Sequence, residues 1–210
     1  MKLYYEHAGI TIYHGDCREI LTGVPCSDLM ITDPPYGMEF VSNYRKIKYS
    51  EIIGDESFPI DLIEKSISSA RCASYVFCRW NNLSQLPKPT SVLAWVKNNW
   101  SMGDLKHEHG RQWEAIAFWP HQQHEFIKRI PDVLFAERTG NILHPTEKPL
   151  HLIKQIIECN KGDVIFDPFM GSGTTLRAAK ELHRRAIGIE IEEKYCEIAA
   201  NRMGQEVLDL

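Results

Sequence analysis

The sequence predicts an α/β protein folded as one domain over residues 1–210, with a mostly parallel sheet of seven strands. Three observations lead to this prediction. Short apolar runs alternate with amphipathic segments, which is the pattern of strands joined by helices that cover both faces of a sheet. The length of 210 residues suits a single core. The hydrophobic and charged contents of 43% and 25% are those of a globular protein.

The first third of the chain predicts two strands, a short helical turn, a loop and a helix. Residues 10–13 alternate at the strand period, and residues 27–32 form a short apolar run; both end in polar loops. Residues 18–21 between them favour a helical turn. Residues 37–59 have no sustained period and predict a loop, whereas residues 60–71 predict a helix.

The middle of the chain predicts three more strands, at 73–78, 91–96 and 113–119. Each is short, rich in β-branched or aromatic residues, and separated from the next by turn-forming residues. The polar and irregular parts of residues 98–143 predict a small inserted or loop region.

The last third is the most regular part of the sequence. Strands at 163–166 and 186–190 alternate with amphipathic helices at 148–159, 174–182 and 192–203. Such alternation is typical of parallel strands with helical crossovers.

The charge and cysteine contents argue against several classes of protein. A net charge of −4 argues against a protein that binds nucleic acid through its overall charge alone. Residues 37–143 are the least acidic part, with 13 basic and 12 acidic side chains. The six cysteines include no CxxC pair, so neither a disulfide framework nor a zinc knuckle is indicated. No long apolar run and no apolar signal core occur, which predicts a cytoplasmic protein without a membrane partner.

A glycine-containing loop lies between the predicted strand 163–166 and the helix that follows it. Its sequence is Asp167-Pro-Phe-Met-Gly171-Ser-Gly173-Thr-Thr175. Glycines allow positive φ and close approach of a ligand, and free amides at a helix start favour anionic groups. Glu190 ends the next strand, about where doubly wound nucleotide folds hold ribose hydroxyls. The loop is not a P-loop or a complete GxGxxG motif, so a tight strand-to-helix turn is the alternative.

A second chemical motif, Asp33-Pro34-Pro35-Tyr36, follows the predicted strand 27–32. Two prolines lack N–H donors and fix φ, so this loop presents carbonyl oxygens, a carboxylate and an aromatic face in a stiff arrangement. These groups suit a flat heteroaromatic amine. A rigid turn without a ligand is the alternative.

In this order the two motifs resemble those of the DNA amino-methyltransferases, which methylate adenine N6 or cytosine N4 with S-adenosylmethionine. The order is similar to that of the permuted group, and His144-Pro-Thr-Glu-Lys148-Pro149 before the intervening helix is a third matching motif. The resemblance covers nearly the whole chain. It implies a Rossmann-like class I methyltransferase fold with circularly permuted motif order. It also implies action on a flipped base of double-stranded DNA, in the setting of restriction and modification, in a prokaryotic or phage-infected cell.

The resemblance also implies roles for single residues. Asp33 and the Pro34 carbonyl accept the two amino protons, and Tyr36, after Pro35, stacks on the base. Glu190 accepts from the ribose, Asp16 and Cys17 border the adenine ring, and Thr146 with Lys148 contacts the methionine carboxylate. A helix cap at Thr146 and a solvated Lys148 are the alternatives. No metal is implied, and the full set of cofactor contacts is Asp16, Cys17, Asp33, Thr146, Lys148, Asp167, Phe169, Gly171, Ser172, Gly173, Thr174 and Glu190.

Partners and specificity follow from the same resemblance. In this family, target recognition lies where residues 98–143 stand in this chain. The predicted loop 37–59 itself offers Arg45, Lys46 and Lys48 as candidate phosphate contacts, with a disordered surface loop as the alternative. Because the region 98–143 is small, we expect a short recognition site, or specificity borrowed from a homodimer mate or a separate subunit. Asp-Pro-Pro-Tyr favours adenine over cytosine. An enzyme acting on RNA or a protein amide, and a non-catalytic DNA- or cofactor-binding subunit, remain alternatives.

Two rival sites are weaker interpretations. Pro25-Cys26 reproduces the nucleophile dipeptide of cytosine-C5 methyltransferases, but it precedes the strand that such a cysteine should follow. The pairs His107 with His109, and His121 with His124, lack a cysteine pair or a helical His-Glu-x-x-His, so surface histidines are favoured over a zinc site.

Overall fold

The computed structural model describes residues 2–20, 23, 26–37, 57–101, 106–107, 109–139 and 147–204. Within these ranges nine strands form one sheet. The strands are β1 (Lys2–His7), β2 (Ile10–His14), β3 (Ser27–Thr32), β4 (Ala70–Cys78), β5 (Ser91–Ser101), β6 (Arg111–Pro120), β7 (Val133–Phe135), β8 (Val164–Asp167) and β9 (Arg185–Glu190). The α-helices are α1 (Cys17–Ile20), α2 (Ile60–Ile67), α3 (Leu150–Cys159), α4 (Thr174–Glu181) and α5 (Glu193–Gly204).

The strand order across the sheet is β1-β2-β9-β8-β3-β4-β6-β5-β7. All neighbours from β2 to β4 are parallel, whereas β1 and β6 run antiparallel to the strands beside them. Leu29 pairs with Ile165 and Met30 with Phe166, so β3 and β8 lie side by side in the middle. The predicted α/β class, the mostly parallel centre and this central pairing are confirmed.

The predicted number of seven strands was wrong, because β1 and β7 were missed. Both are the outermost strands of the sheet. β1 has no fully buried residue, and β7 is only three residues long. β1 therefore lacks the burial-driven alternation by which a strand is recognised in a sequence, and three residues are too few to reveal a period in β7.

The range 98–143 is not wholly an insertion. β6 lies inside this range and pairs with both β4 and β5, and β7 adds an edge strand beside β5. The predicted helix over 60–71 was also too long, since α2 ends at Ile67 and β4 begins at Ala70. In both places the pairing of the sheet decides where an element ends.

The core consists of two layers, one on each face of the sheet. α3, α4 and α5 pack on one face, for example through Ile156, Leu176 and Ala199. α1 and α2 cover the other face, through Cys17 and Ile63. The predicted covering of both faces is confirmed, and it explains why β3 is buried along its whole length.

The parallel strands end at one edge of the sheet, and this edge carries the chemical motifs. Asp33 follows β3, Asp167 ends β8 and Glu190 ends β9. Residues far apart in the chain thus come to one crevice, as in other open α/β sheets. No helix in the described part of the chain has the length and apolarity needed to cross a membrane.

Candidate active site

A cleft of about 420 Å³, part of it open to solvent, lies at the carboxyl ends of β3 and β8. Its walls come from four places: the end of β3, the end of β4, the glycine loop after β8, and the start of α3. The lining residues include Asp33, Phe77, Lys148, Asp167, Phe169, Gly171, Ser172 and Thr174. The sheet therefore joins the two sequence motifs in one cavity.

Within the described part of the chain, two side chains hold Asp33. Its Oδ1 accepts a 2.6 Å hydrogen bond from the Tyr36 hydroxyl, and its Oδ2 forms an ion pair with the Lys148 ammonium. In the chain between Asp33 and Tyr36, Pro34 is buried and Pro35 is half-buried. The stiff loop predicted from two prolines thus presents Asp33 in a single orientation.

Lys148 lies inside the protein instead of in solvent. Only 7% of its side chain is exposed, and its ammonium reaches both Asp33 and, at 3.5 Å, Glu114 Oε2. It also lies 5.6 Å from the centre of the Tyr36 ring and 5.4 Å from that of Phe77. The solvated alternative for Lys148 is therefore excluded, and its contact with a methionine carboxylate stays a prediction.

Glu114 and Lys97 extend the ion pair between Asp33 and Lys148 into a larger charged group. The sequence analysis identified neither residue. Glu114 Oε1 forms an ion pair with Lys97, and Glu114 Oε2 lies 3.3 Å from the Tyr36 hydroxyl. The two residues come from β6 and β5, which pair antiparallel. A carboxylate inside the apolar run 113–119 was the signal that could have drawn attention to Glu114.

Burial and neighbouring charges set the pKa values of these groups. Burial raises the pKa of Asp33, although Lys148 opposes the shift. Burial also acts against the charge of Lys148, but Asp33 and Glu114 raise its pKa overall. The pKa of Glu114 is lowered, because Lys148 and Lys97 outweigh the effect of its burial. The ammonium of Lys148 is therefore held between two carboxylates.

The glycine loop behaves as its sequence predicts. Gly171 and Gly173 have φ values of 52° and 80°, a region that glycine enters without strain. A Cβ on Gly173 would lie 2.8 Å from the Cβ of Ala199, so here the missing side chain makes room for α5. Ser172 and Thr174 flank Gly173 and line the cleft.

Asp167 is buried beside the cleft and forms hydrogen bonds within the protein. Its Oδ1 accepts from the Thr32 hydroxyl at 2.7 Å and from the Phe169 N–H at 3.1 Å. Burial raises the pKa of Asp167 to about 6. Asp167 thus fixes the start of the loop, while Phe169 lines the cavity.

Glu190 presents a buried carboxylate at the end of β9. Its two oxygens accept from the N–H groups of Gly171 at 3.0 Å and Glu192 at 2.8 Å. Burial raises the pKa of Glu190 to about 7. Each carboxylate oxygen can accept more than one hydrogen bond, so capacity for ribose hydroxyls remains.

Asp16 and Cys17 lie next to this strand end, because the Gly15 N–H donates to the Glu190 carbonyl at 2.9 Å. Asp16 forms an ion pair with Arg18. Cys17 is buried, which raises the pKa of its thiol to about 12. Neither residue lines the cleft described above, so their contact with an adenine ring stays a prediction.

Four predicted site residues, Thr146, Arg45, Lys46 and Lys48, lie outside the described residues. Their roles stay predictions.

Comparison with known proteins identifies the family. Residues 93–201, just over half of the chain, match the model of the N6_N4_Mtase family, described as DNA methylase. The chain belongs to this family of DNA methylases. The type II methyltransferase M.ScaI of Streptomyces caespitosus is 26% identical to it over 100% of this chain and 86% of that protein. The type II methyltransferase M2.DpnII of Streptococcus pneumoniae is 51% identical over 56% of this chain and 43% of that protein.

A solved structure agrees with both the fold and the cofactor of a DNA methylase. The structure of the M1.HpyAVI–SAM complex matches with a TM-score of 0.71 and 26% identity, covering 92% of this chain and 99% of that one. The predicted Rossmann-like methyltransferase fold and the predicted dependence of this enzyme on S-adenosylmethionine are confirmed. The cavity fits that cofactor, since a buried acceptor, Glu190, and a turn with two positive-φ glycines stand beside it.

The residues of the two rival sites, the catalytic cysteine and the zinc site, have surroundings that do not suit those roles. Cys26 is exposed and precedes β3, whereas the cleft lies at the other end of that strand. His121 contacts Ser74 at 2.9 Å and His124 contacts Asn160 at 3.1 Å, so both have partners inside the protein. Among the described residues, no three His, Cys, Asp or Glu side chains are grouped so as to hold a metal ion.

Proposed function

We propose that this DNA methylase transfers the methyl group of S-adenosylmethionine to the exocyclic amino group of a base flipped out of double-stranded DNA, with adenine N6 preferred to cytosine N4. The observation that carries the proposal is the position of Asp33. Its carboxylate lines the cleft, held by Tyr36 on one oxygen and by Lys148 on the other.

The chemistry requires an acceptor at that position. The lone pair of an exocyclic amino nitrogen is delocalised into the ring, so the nitrogen is a weak nucleophile until it becomes tetrahedral. Acceptors for its two protons, Asp33 and the Pro34 carbonyl in this proposal, stabilise that geometry. The Tyr36 ring provides a surface on which the base stacks.

The cofactor supplies an already activated sulfonium methyl group, so alignment of the two reactants provides much of the acceleration. We assign its binding to the glycine loop with Asp167, Phe169 and Glu190, to Asp16 and Cys17, and to Thr146 and Lys148. The first group has the strongest support, because Phe169 and Gly171 line the cleft.

The DNA-binding part of the proposal rests on the sequence. We assign phosphate contacts to Arg45, Lys46 and Lys48, and target recognition to the parts of residues 98–143 outside the sheet. A small recognition region is consistent with a homodimer or with a separate specificity subunit. The bacterial sources of M.ScaI and M2.DpnII support an enzyme of the cytoplasm that takes part in restriction and modification.

One experiment tests the proposed reaction. The protein is incubated with cofactor tritiated in its methyl group and with duplex DNA, single-stranded DNA, RNA or an unrelated protein. The product is then digested and the labelled component is identified by chromatography. We expect label in N6-methyladenine from duplex DNA. Label in N4-methylcytosine changes the base, label in RNA or protein changes the substrate class, and cofactor binding without any transfer overturns the proposal.

A further inference from the structure

Five side chains form a connected polar group beside the cleft, which we name the Glu114 network: Asp33, Tyr36, Lys97, Glu114 and Lys148. Its charges alternate in the order Asp33, Lys148, Glu114, Lys97. Of these four residues, the proposed function uses only Asp33, for the base, and Lys148, for the cofactor. Glu114 and Lys97 have no place in it, although their side chains are only 18% and 11% exposed.

Burying four charges is costly, so the network needs an explanation. Removing a charge from water costs several kcal/mol even after relaxation, and replacing buried ion pairs by apolar residues is often neutral or stabilising. A fold that required only stability at this position could use apolar side chains, since Trp95 and Phe77 already pack against the Lys148 ammonium. The network is therefore better explained by what it does to Asp33.

Glu114 contacts both of the groups that hold Asp33. The Lys148 ammonium, which binds Asp33 Oδ2, lies 3.5 Å from Glu114 Oε2. The Tyr36 hydroxyl, which donates to Asp33 Oδ1, lies 3.3 Å from the same Glu114 oxygen. Glu114 thus forms an ion pair with Lys148 and lies against the Tyr36 hydroxyl, whose single proton is donated to Asp33, without itself touching Asp33.

Glu114 also changes how strongly Asp33 accepts hydrogen bonds. Because the Lys148 ammonium is shared between two carboxylates, it neutralises Asp33 less completely than an exclusive partner does. The negative charge of Glu114 also raises the pKa of Asp33. A more basic carboxylate is a better acceptor for the amino protons of a base. Lys97 balances the charge of Glu114 from the far side.

We propose that Glu114 is a positioning residue for methyl transfer, which orients Asp33 through Lys148 and Tyr36 and strengthens it as a hydrogen-bond acceptor. This inference rests on the proposed function. Glu114 is absent from the lining of the cleft and acts through its neighbours. Among the residues that the structure describes, the charged or titratable groups that act on Asp33 or line the same cleft are Lys148, Glu114, Tyr36, Asp167, Cys78 and Glu147.

The test is the variant Glu114→Gln, which keeps the shape of the side chain and removes its charge. We expect kcat to fall about tenfold or more, as it does when a residue that orients a directly acting group is lost. The KM values for DNA and cofactor should change by less than about threefold, because Glu114 is absent from the lining of the cleft. The acid limb of the kcat profile should move to lower pH by about 0.5 unit or more, because Asp33 loses a nearby negative charge. Glu114→Asp keeps the charge and should recover part of the rate.

Two further variants separate positioning from folding. Glu181→Gln removes a half-buried carboxylate that pairs with Arg177 and Lys154 away from the cleft, and it should leave the pH profile unchanged.

If Glu114→Gln does not fold because Lys97 loses its partner, the double variant Glu114→Gln with Lys97→Met removes both charges. We expect the double variant to fold and to keep the low kcat and the shifted profile. A folded variant with near-normal kcat and an unshifted profile overturns the proposal, as does full recovery of rate in the double variant.

A direct measurement distinguishes failure of this proposal from failure of the proposed function. The Asp33 carboxyl can be titrated by carbon-13 NMR in the wild-type protein and in Glu114→Gln, without DNA or cofactor. A lower pKa of Asp33 in the variant supports the action of Glu114 on Asp33, and equal values in both proteins refute it. Absence of DNA methylation by the wild-type protein refutes the proposed function, and this titration then still decides whether Glu114 acts on Asp33.

Discussion

The Thr32 hydroxyl donates a 2.7 Å hydrogen bond to Oδ1 of Asp167, although the two residues are 135 positions apart in the chain. Both residues are buried, and they stand at the carboxyl ends of the neighbouring strands β3 and β8. Asp33 follows the first of these residues and the glycine loop follows the second. This bond therefore fixes the Asp-Pro-Pro-Tyr loop relative to the glycine loop.

Thr32→Val should lower the free energy of unfolding by about 1–3 kcal/mol, because it leaves a buried carboxylate with one donor fewer. Thr32→Ser keeps the hydroxyl and should cost less than about 1 kcal/mol. Chemical denaturation followed by circular dichroism measures both values. A Thr32→Val protein as stable as the wild type would show that the hydrogen bond does not stabilise this part of the fold.

Gly173→Ala should destabilise the protein by about 1–3 kcal/mol, since φ is +80° and the new Cβ meets Ala199 at 2.8 Å. Gly204→Ala is the matched control, because a Cβ there has no described atom within 4 Å. Thermal and denaturant unfolding of both variants compare the two positions. A Gly173→Ala protein as stable as the control contradicts the assigned close approach of α4 and α5.

Glu190 should make the stability of the cofactor-free protein fall as pH rises. Burial raises its pKa to about 7 in the folded state, whereas an unfolded glutamate has a pKa of about 4.3. Between these values the folded state binds more protons than the unfolded state, so stability decreases with increasing pH. Relative to Glu190→Gln, the wild-type protein should lose up to about 3 kcal/mol from pH 5 to pH 8. Urea unfolding at several pH values measures the difference, and parallel curves for the two proteins contradict it.

Asp33→Ala should reduce methyl transfer by about 100-fold or more, because it removes an acceptor for the amino protons. Cofactor affinity should stay within about a few fold, since the glycine loop and Glu190 are unchanged. Single-turnover kinetics give the first quantity and calorimetric titration gives the second. A variant that keeps most of its activity shows that the assigned role of Asp33 is wrong.

The sequence was sufficient for the fold class and for the two loops. Strands such as β3 and β8 are buried on both faces, so their sequences are apolar runs. Gly171 and Gly173 have the positive φ that glycines in this loop allow. These features depend on neighbours in the chain, so local patterns reveal them. β1 and β7 lie at the edges of the sheet, where weak burial leaves little pattern to recognise.

The Glu114 network could not be deduced from the sequence. Lys148 meets Asp33 across 115 positions, and Tyr36 meets Glu114 across 78. Which charged side chain faces which depends on the antiparallel register of β5 and β6 and on where α3 begins. The sequence shows that Glu114 and Lys97 are ionisable. Their burial in the fold and the charges close to them decide their pKa values and their partners.

The sequence by itself determined the family and the order of its motifs, and it predicted Asp33 as the acceptor. Only the tertiary structure decided that Lys148 lies buried between Asp33 and Glu114, with Tyr36 bonded to Asp33. The physical reason is that motifs are short and local, whereas the electrostatic environment of a carboxylate is set by all the charges that the fold brings within a few ångströms of it.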